Sequence, residues 1–525
     1  MKRDFAALGA AHFDVLVCGG GIYGAWTAYD AAMRGLKVAL VEQGDWAGAT
    51  SSASSKLIHG GLRYLESYDF KLVKKALTER GMLLEVAPHR VWPLRFCVPV
   101  YADSRIYRLQ LKAGLMLYDL LAHIPDTNMR HRYFSNRKFA HRFAALSADG
   151  LRGGFTYADA QTDDARLVLE LVAGAMAAGA VCVNYCKLTG LVEAGGKPSG
   201  ATVQDRVGGG SQVVQARVLV NTAGQWLAAN RESRSWCRLS KGVHLILPQL
   251  LGDEALLLTA QSDGRVFFMI PWYGRTLVGT TDTDYRGDIE HVVVEKADID
   301  YLLREVNHFF NTRLTARDVI GSYAGLRVMR QSDATHPSDV SRDWEVRRGS
   351  DGVLYSIGGK LTSAREDAAV IADAVCTELG IDAPCKTKGR AFPWASDDFA
   401  AWSATVFDQA GRLGIDAECG KWLVRRHGKR AEGVLREVAN DVALAGRIVP
   451  GLPLIYADLL FCAREEMVVH LDDLLRRRMP LLILARLDEA KVKEIAMRVA
   501  ERLGWDEARE ACEARAVISG LGCSQ

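Results

Sequence analysis

The sequence predicts an α/β fold in three parts: a Rossmann-like dinucleotide-binding domain, an antiparallel-sheet lobe inserted into it, and an all-helical C-terminal domain. Three observations predict it. A Gly-x-Gly-x-x-Gly turn at Gly19, Gly21 and Gly24 joins an apolar run to a helical one. Over residues 241–346 the pattern changes to short alternating strands. Beyond the break between Pro384 and Pro393, residues 398–518 are helical in pattern and rich in Arg, Glu, Ala and Leu. A chain of 525 residues exceeds a single core. The expected boundaries are 12–90, 155–240 and 350–387 for the nucleotide domain, 91–154 and 241–349 for the substrate lobe, and 388–525 for the helical domain.

The nucleotide domain opens with Val15-Leu16-Val17-Cys18, apolar throughout as a buried parallel strand is. Gly19 permits a tight turn. Gly21 leaves no side chain between the backbone and a pyrophosphate, and Gly24 lets the next helix pack on the strand. That helix, residues 22–34, aims the N–H groups of its first turn, from Ile22 on, at the phosphate. Residues 37–41 form the second strand. Glu42, followed by Gln43, stands where a carboxylate accepts hydrogen bonds from both ribose hydroxyls of an adenosine. It also speaks against a 2′-phosphate, which would want an arginine there.

The next stretch selects the dinucleotide. It reads Ala49-Thr50-Ser51-Ser52-Ala53-Ser54-Ser55-Lys56-Leu57-Ile58-His59-Gly60-Gly61-Leu62-Arg63-Tyr64-Leu65-Glu66. A domain for NAD goes on to another regular helix. A flavin site needs a loop along the pyrophosphate and ribityl chain, and serine and threonine hydroxyls suit that task. Two later segments fit the same cofactor, FAD. Residues 216–226 are an apolar strand ending in Thr222-Ala223-Gly224. Residues 353–362 run from a strand through Gly358, Gly359, Lys360 and Leu361 into a helix from about Thr362. Its N-terminus can face the flavin edge on which negative charge develops.

The remaining elements follow in order. Residues 72–86 read as a helix ended by Pro88 and Pro93, and residues 96–100 as a strand into the second lobe. Residues 126–150 are a polar, basic excursion, and 154–157 are strand-like. Asp163 and Asp164 open a helix, residues 181–185 return to the first sheet, and Gly195 to Gly210 hold a hairpin. The charged run over residues 470–478 reads as a solvated helix face.

A hydrophobic fraction of 49% with 25% charged residues is that of a soluble globular protein. A net charge of +3 gives no electrostatic case for nucleic acid. The 11 cysteines show neither metal-ligand spacing nor a disulfide framework, which fits a reducing cytosol. No signal peptide and no membrane-spanning window are expected. Residues 106–124, apolar but carrying Arg108, Lys112 and Asp119, read either as an amphipathic helix in a lipid interface or as a core helix.

Thr50 to Glu66 closely resembles the signature of the FAD-dependent glycerol-3-phosphate dehydrogenases that pass electrons to quinone. Ile270-Pro271-Trp272, residues 279–285 and residues 470–478 are similar to that family too, and the likeness covers nearly the whole chain. It implies a glutathione-reductase-like FAD domain, with sn-glycerol 3-phosphate oxidised to dihydroxyacetone phosphate and quinone as acceptor. It implies peripheral attachment to the cytoplasmic side of the inner membrane, and it leaves a homodimer open. The cofactor contacts expected are Gly19, Gly21, Ile22, Gly24, Glu42, Gln43, Thr50, Ser51, Ser52, Lys56, Leu57, His59, Gly60, Ala223, Gly224, Gly359, Leu361 and Thr362. Phosphate and substrate hydroxyls are implied at Arg63, Tyr64, Arg327, Arg342 and Lys360, with His59, Arg327 and Lys360 as the catalytic set. Val328 stands where the family commonly has Pro, and Val243 where it has Ser.

The chemistry asks for the same groups. Oxidising a secondary alcohol on a flavin needs an anchored substrate and a base for the hydroxyl proton. A phosphomonoester anchor wants Arg and Lys. His59 has a suitable pKa for the base, or it packs the flavin. The alternatives are a related enzyme for another phosphorylated polyol, a 2-hydroxy acid or an amino acid, and a nucleotide-binding regulatory protein. A carboxylate substrate would need one clamp and no cluster of cations.

Overall fold

The computed structural model describes residues 1–66, 68–122, 129–332 and 343–522, the side chains of Arg63 and Leu521 excepted. Of the expected substrate contacts, Arg342 and the Arg63 side chain lie outside the described residues.

The strand His12–Cys18 is the centre of the first sheet. It runs parallel to Val38–Val41 on one side and to Ser211–Asn221 on the other. Val181–Val183 and Leu354–Gly358 extend the parallel order outward, and Trp344–Arg348 closes one edge antiparallel. Val15, Val17, Val38 and Leu40 are buried together, as a strand covered on both faces requires. The helix Ile22–Met33 packs against the helices Asp164–Ala177 and Ala364–Leu379.

The second sheet is antiparallel except where Ala255–Thr259 runs alongside Val91–Tyr101. Leu151–Thr162 pairs with Val91–Tyr101 along its whole length. The boundary expected at residue 155 therefore moves to the end of that strand. Trp344–Arg348, expected in the substrate lobe, belongs to the first sheet through Leu354–Gly358. The C-terminal helices run from Phe399–Arg412 to Glu507–Gly522.

One expectation is overturned there. Within residues 470–478, Asp473, Arg477 and Arg478 are buried, not solvated. Arg477 and Arg478 pair with Asp45, more than four hundred residues earlier in the chain. Only tertiary packing creates such a partner, so the local pattern carried no sign of it.

Further buried ion pairs cluster at the seam of the helical domain, and Arg166–Glu466 crosses it. Arg90 Nε donates to Glu170 at 2.9 Å, Arg166 pairs with Glu466, and Arg426 with Asp458. His427 Nε2 lies 2.6 Å from Asp458, and its Nδ1 is close to Arg166 and Glu466. Burial outweighs the Asp458 carboxylate and pushes His427 down to about 4. Glu170 is held at about 2 by His89 and Arg90 despite its burial. Both groups bind protons less readily folded than unfolded, so acid favours the unfolded chain. The melting temperature is expected to fall as pH drops from 6.5 toward 4, where His427 contributes, and again from 4.5 toward 2, where Glu170 does. Thermal melts of wild type and His427→Gln across this range check it. The variant should show a shallower upper slope, the remainder coming from His244, which burial also holds below 6.5.

The helix Arg108–Ala122 buries one apolar face, as a core helix does, and leaves another exposed. Leu111, Leu115 and Tyr118 are buried. Leu109, Met116 and Leu120 are 73%, 55% and 70% exposed. Among the described residues, no helix is long and apolar enough to cross a membrane.

Candidate active site

A cleft of about 510 Å³ lies where the parallel strands of the first sheet end, against one face of the second sheet. Cys18, Glu42, Asn221 and Gly358 line it from the first sheet; Gly242, His244, Phe268, Gly325 and Arg327 line it from the second.

The nucleotide end is built by glycine geometry. Gly19 has φ +109, and a β-carbon there would come within 2.7 Å of the Thr222 carbonyl oxygen. A β-carbon on Gly24 would sit 1.8 Å from the Gly19 carbonyl oxygen. Gly24 thus serves the helix–strand packing and does not line the cleft. Glu42 accepts hydrogen bonds from Gly20 N at 2.6 Å and Gly44 N at 2.8 Å. Burial raises its pKa. A close-approach turn, a helix start and a fixed acid at the tip of the second strand fit the pyrophosphate and ribose of FAD.

Of the other expected contacts, Gly21, Ile22, Gln43, Thr50, Ser51, Leu57, His59, Ala223, Gly224, Gly359, Leu361 and Thr362 line the cleft, as does Tyr64. Ser51 Oγ accepts from Ile22 N at 2.9 Å, and Thr50 Oγ1 donates to the Leu326 carbonyl at 2.6 Å. Ser52, Lys56 and Gly60 are not brought to it. The Lys56 ammonium is buried on Asp164 at 2.6 Å and lies 4.7 Å from the Trp272 ring centre, so its side chain fixes the loop from behind. Gly60 N donates to the Tyr118 hydroxyl at 2.9 Å, so it anchors the loop to the helix Arg108–Ala122.

At the far end the structure brings Arg327 and Lys360 to one cleft. Arg327 donates to Thr280 Oγ1 at 2.8 Å and to Asp282 at 3.3 Å. Gly242 makes room for it, since a β-carbon there would come within 2.5 Å of the guanidinium. The Lys360 ammonium lies 3.8 Å from the Tyr64 ring centre. His59 donates its backbone N–H to Thr362 Oγ1 at 3.1 Å, and its ring meets Phe268 edge-on.

The residue that sequence reasoning missed is His244. It lines the cleft from the strand Cys237–Leu247, stacks on Tyr323, and holds Nε2 at 2.8 Å from Ser55 Oγ. Its pKa is pushed well below the usual range by burial, then by Arg327 and Lys56. The imidazole is therefore neutral at physiological pH and able to take a proton. Arg265 also reaches the cleft wall, where it donates to the Asp282 carbonyl at 2.6 Å.

Residues 14–365 match the family described as FAD dependent oxidoreductase, and residues 385–510 the C-terminal domain of alpha-glycerophosphate oxidase. The glycerol-3-phosphate dehydrogenase of Synechocystis sp. is 34% identical over 97% of this chain and 96% of its own length. Glycerol-3-phosphate dehydrogenase 2 of Mycobacterium bovis is 36% identical over 95% of this chain and 86% of its own. The structure of the glycerol-3-phosphate dehydrogenase of Bacillus halodurans complexed with FAD superposes with a TM-score of 0.80 at 29% identity, covering 99% of this chain and 96% of that one. With its cleft built for FAD and both domains matched in order, the chain belongs to the family of FAD-dependent glycerol-3-phosphate dehydrogenases.

Proposed function

We propose that this protein oxidises sn-glycerol 3-phosphate at C2 to dihydroxyacetone phosphate and passes the electrons to a membrane quinone. The observation that carries the reading is the meeting of Arg327, Lys360 and a neutral His244 in one cleft. FAD, when bound, supplies the hydride acceptor. The two cations hold the phosphate dianion and so fix C2. His244 Nε2, steadied by Ser55 Oγ, takes the hydroxyl proton. A dianion beside Arg327 also offsets one of the charges that keep His244 from binding a proton. His59, packed on Phe268, takes the role of shaping the flavin pocket.

The exposed stripe of Leu109, Met116 and Leu120 supports a lipid-facing surface, and Arg105, Arg108 and Lys112 beside it suit anionic headgroups. A triple Leu109→Asn, Met116→Asn, Leu120→Asn variant is expected to stop sedimenting with anionic vesicles while keeping turnover with a water-soluble acceptor. Equal sedimentation of both proteins would remove this face from the account.

An oxygen-linked oxidase of the same fold is the rival. Turnover with sn-glycerol 3-phosphate should form dihydroxyacetone phosphate and one reduced quinone analogue per product, without hydrogen peroxide. Stoichiometric peroxide in the presence of the quinone would decide for the oxidase.

A further inference from the structure

The loop that carries Glu42 is held from outside its own domain. Three residues beyond Glu42, Asp45 is only 3% exposed. Its Oδ2 accepts from Arg477 Nε at 2.6 Å and from Arg478, and its Oδ1 accepts from Asn184 at 3.3 Å. Arg477 continues to Asp473 at 2.8 Å, and Arg478 to the Glu466 carbonyl at 2.9 Å. Tyr185, whose N–H donates to the Gly44 carbonyl at 2.8 Å, closes the ring with a hydroxyl bond to Asp473 at 2.6 Å. Trp46 donates its indole N–H to the Met467 sulfur at 3.3 Å. Its ring fills the space beside Gly20, where a β-carbon would come within 2.4 Å of it.

The loop of residues 42–48 is thus gripped between the glycine turn and residues 466–478 of the helical domain. The grip lies behind the cleft wall: Asp45, Arg477 and Arg478 do not line the cleft, whereas Glu42, Gln43 and Gly48 do. It also lies apart from the substrate end, which rests on His244, Arg327 and Lys360.

We propose that Arg477 and Arg478 are positioning residues for the adenosine half of FAD, acting through Asp45 on the loop of Glu42. Asp45→Asn leaves the buried Arg477 and Arg478 without their shared carboxylate, and Arg477→Gln leaves Asp45 with Arg478 alone and the buried Asp473 without its guanidinium. The loop relieves this imbalance by moving off the helical domain, and Glu42 and its bond to Gly20 move with it. The helical C-terminal domain is on this account part of the cofactor site, although none of its described residues lines the cleft.

The test uses full-length holoenzyme carrying Asp45→Asn, Arg477→Gln or Arg477→Lys. FAD release on dilution, followed by the rise in flavin fluorescence, is expected to be at least about tenfold faster in the first two, equivalent to about 1.4 kcal/mol. Arg477→Lys keeps the charge and should restore most of the retention. With FAD in excess, kcat, the KM for sn-glycerol 3-phosphate and the flavin absorbance spectrum should match wild type. FAD release at the wild-type rate from a folded variant overturns the proposal. So does faster release with an equal change in KM and spectrum, which is general loosening and not a grip on the adenosine half. Should Asp45→Asn fail to fold, Arg477→Gln, which leaves the Arg478 pair in place, is read on the same scale.

Discussion

The His244→Asn variant is expected to lose about a hundred- to ten-thousandfold in kcat, the usual worth of a positioned base. Its KM for sn-glycerol 3-phosphate should change far less. Asparagine overlays the Nδ1 side of the ring and stops short of Nε2, so it places no group beside Ser55 that can take a proton. Stopped-flow reduction of the flavin separates this loss from later electron transfer. The pH dependence gives a second check. A base must be unprotonated to act, and burial with Arg327 and Lys56 holds His244 well below 6.5. The acid limb of kcat/KM should therefore lie below pH 6.5 in wild type and vanish in the variant. His59→Asn should cost turnover much less. The reverse order would transfer the role of base to His59.

Arg327→Ala is expected to lower kcat/KM for sn-glycerol 3-phosphate about ten- to a hundredfold, for a charge-assisted bond worth about 1.5–3 kcal/mol. The loss should appear mainly in KM. Asp282, which accepts from both Ser240 and Arg327, would then face the phosphate with less compensation. Arg327→Lys should recover part of the affinity because it restores the charge without the planar fork. Free glycerol, which has no phosphate to hold, should be oxidised about equally poorly by wild type and variant. Steady-state kinetics on both substrates check this. Equal losses on both would mean that Arg327 does not read phosphate.

The nucleotide end was legible because its physics is local. A turn at φ +109 needs glycine at position 19, and the acid that ends the second strand is fixed by the length of one βαβ unit. The cation cluster was legible at Arg327 and Lys360 because each adjoins a recognisable turn or strand. His244 was not. It lies inside the apolar strand Cys237–Leu247, where a single histidine looks like a core residue. Only the folded sheet brings it to Ser55, far away in the chain. Lys56 was misplaced for the converse reason. It sits in the right loop, but Asp164 draws its side chain to the back. The arginines at 477 and 478 looked solvated because a run of charges is usually a wet helix face, and Asp45 is too distant in sequence to show otherwise.

The account as a whole depends on a phosphate dianion gripped by Arg327 and Lys360 so that C2 meets the flavin with His244 beside it. Anaerobic mixing of the holoenzyme with sn-glycerol 3-phosphate, free glycerol, glycine and 2-hydroxyglutarate measures this most directly. Rapid, saturable bleaching of the flavin by the phosphorylated polyol, and slow or no bleaching by the others, is the result expected. Bleaching by an unphosphorylated polyol or a carboxylate substrate at a comparable rate and affinity would contradict it.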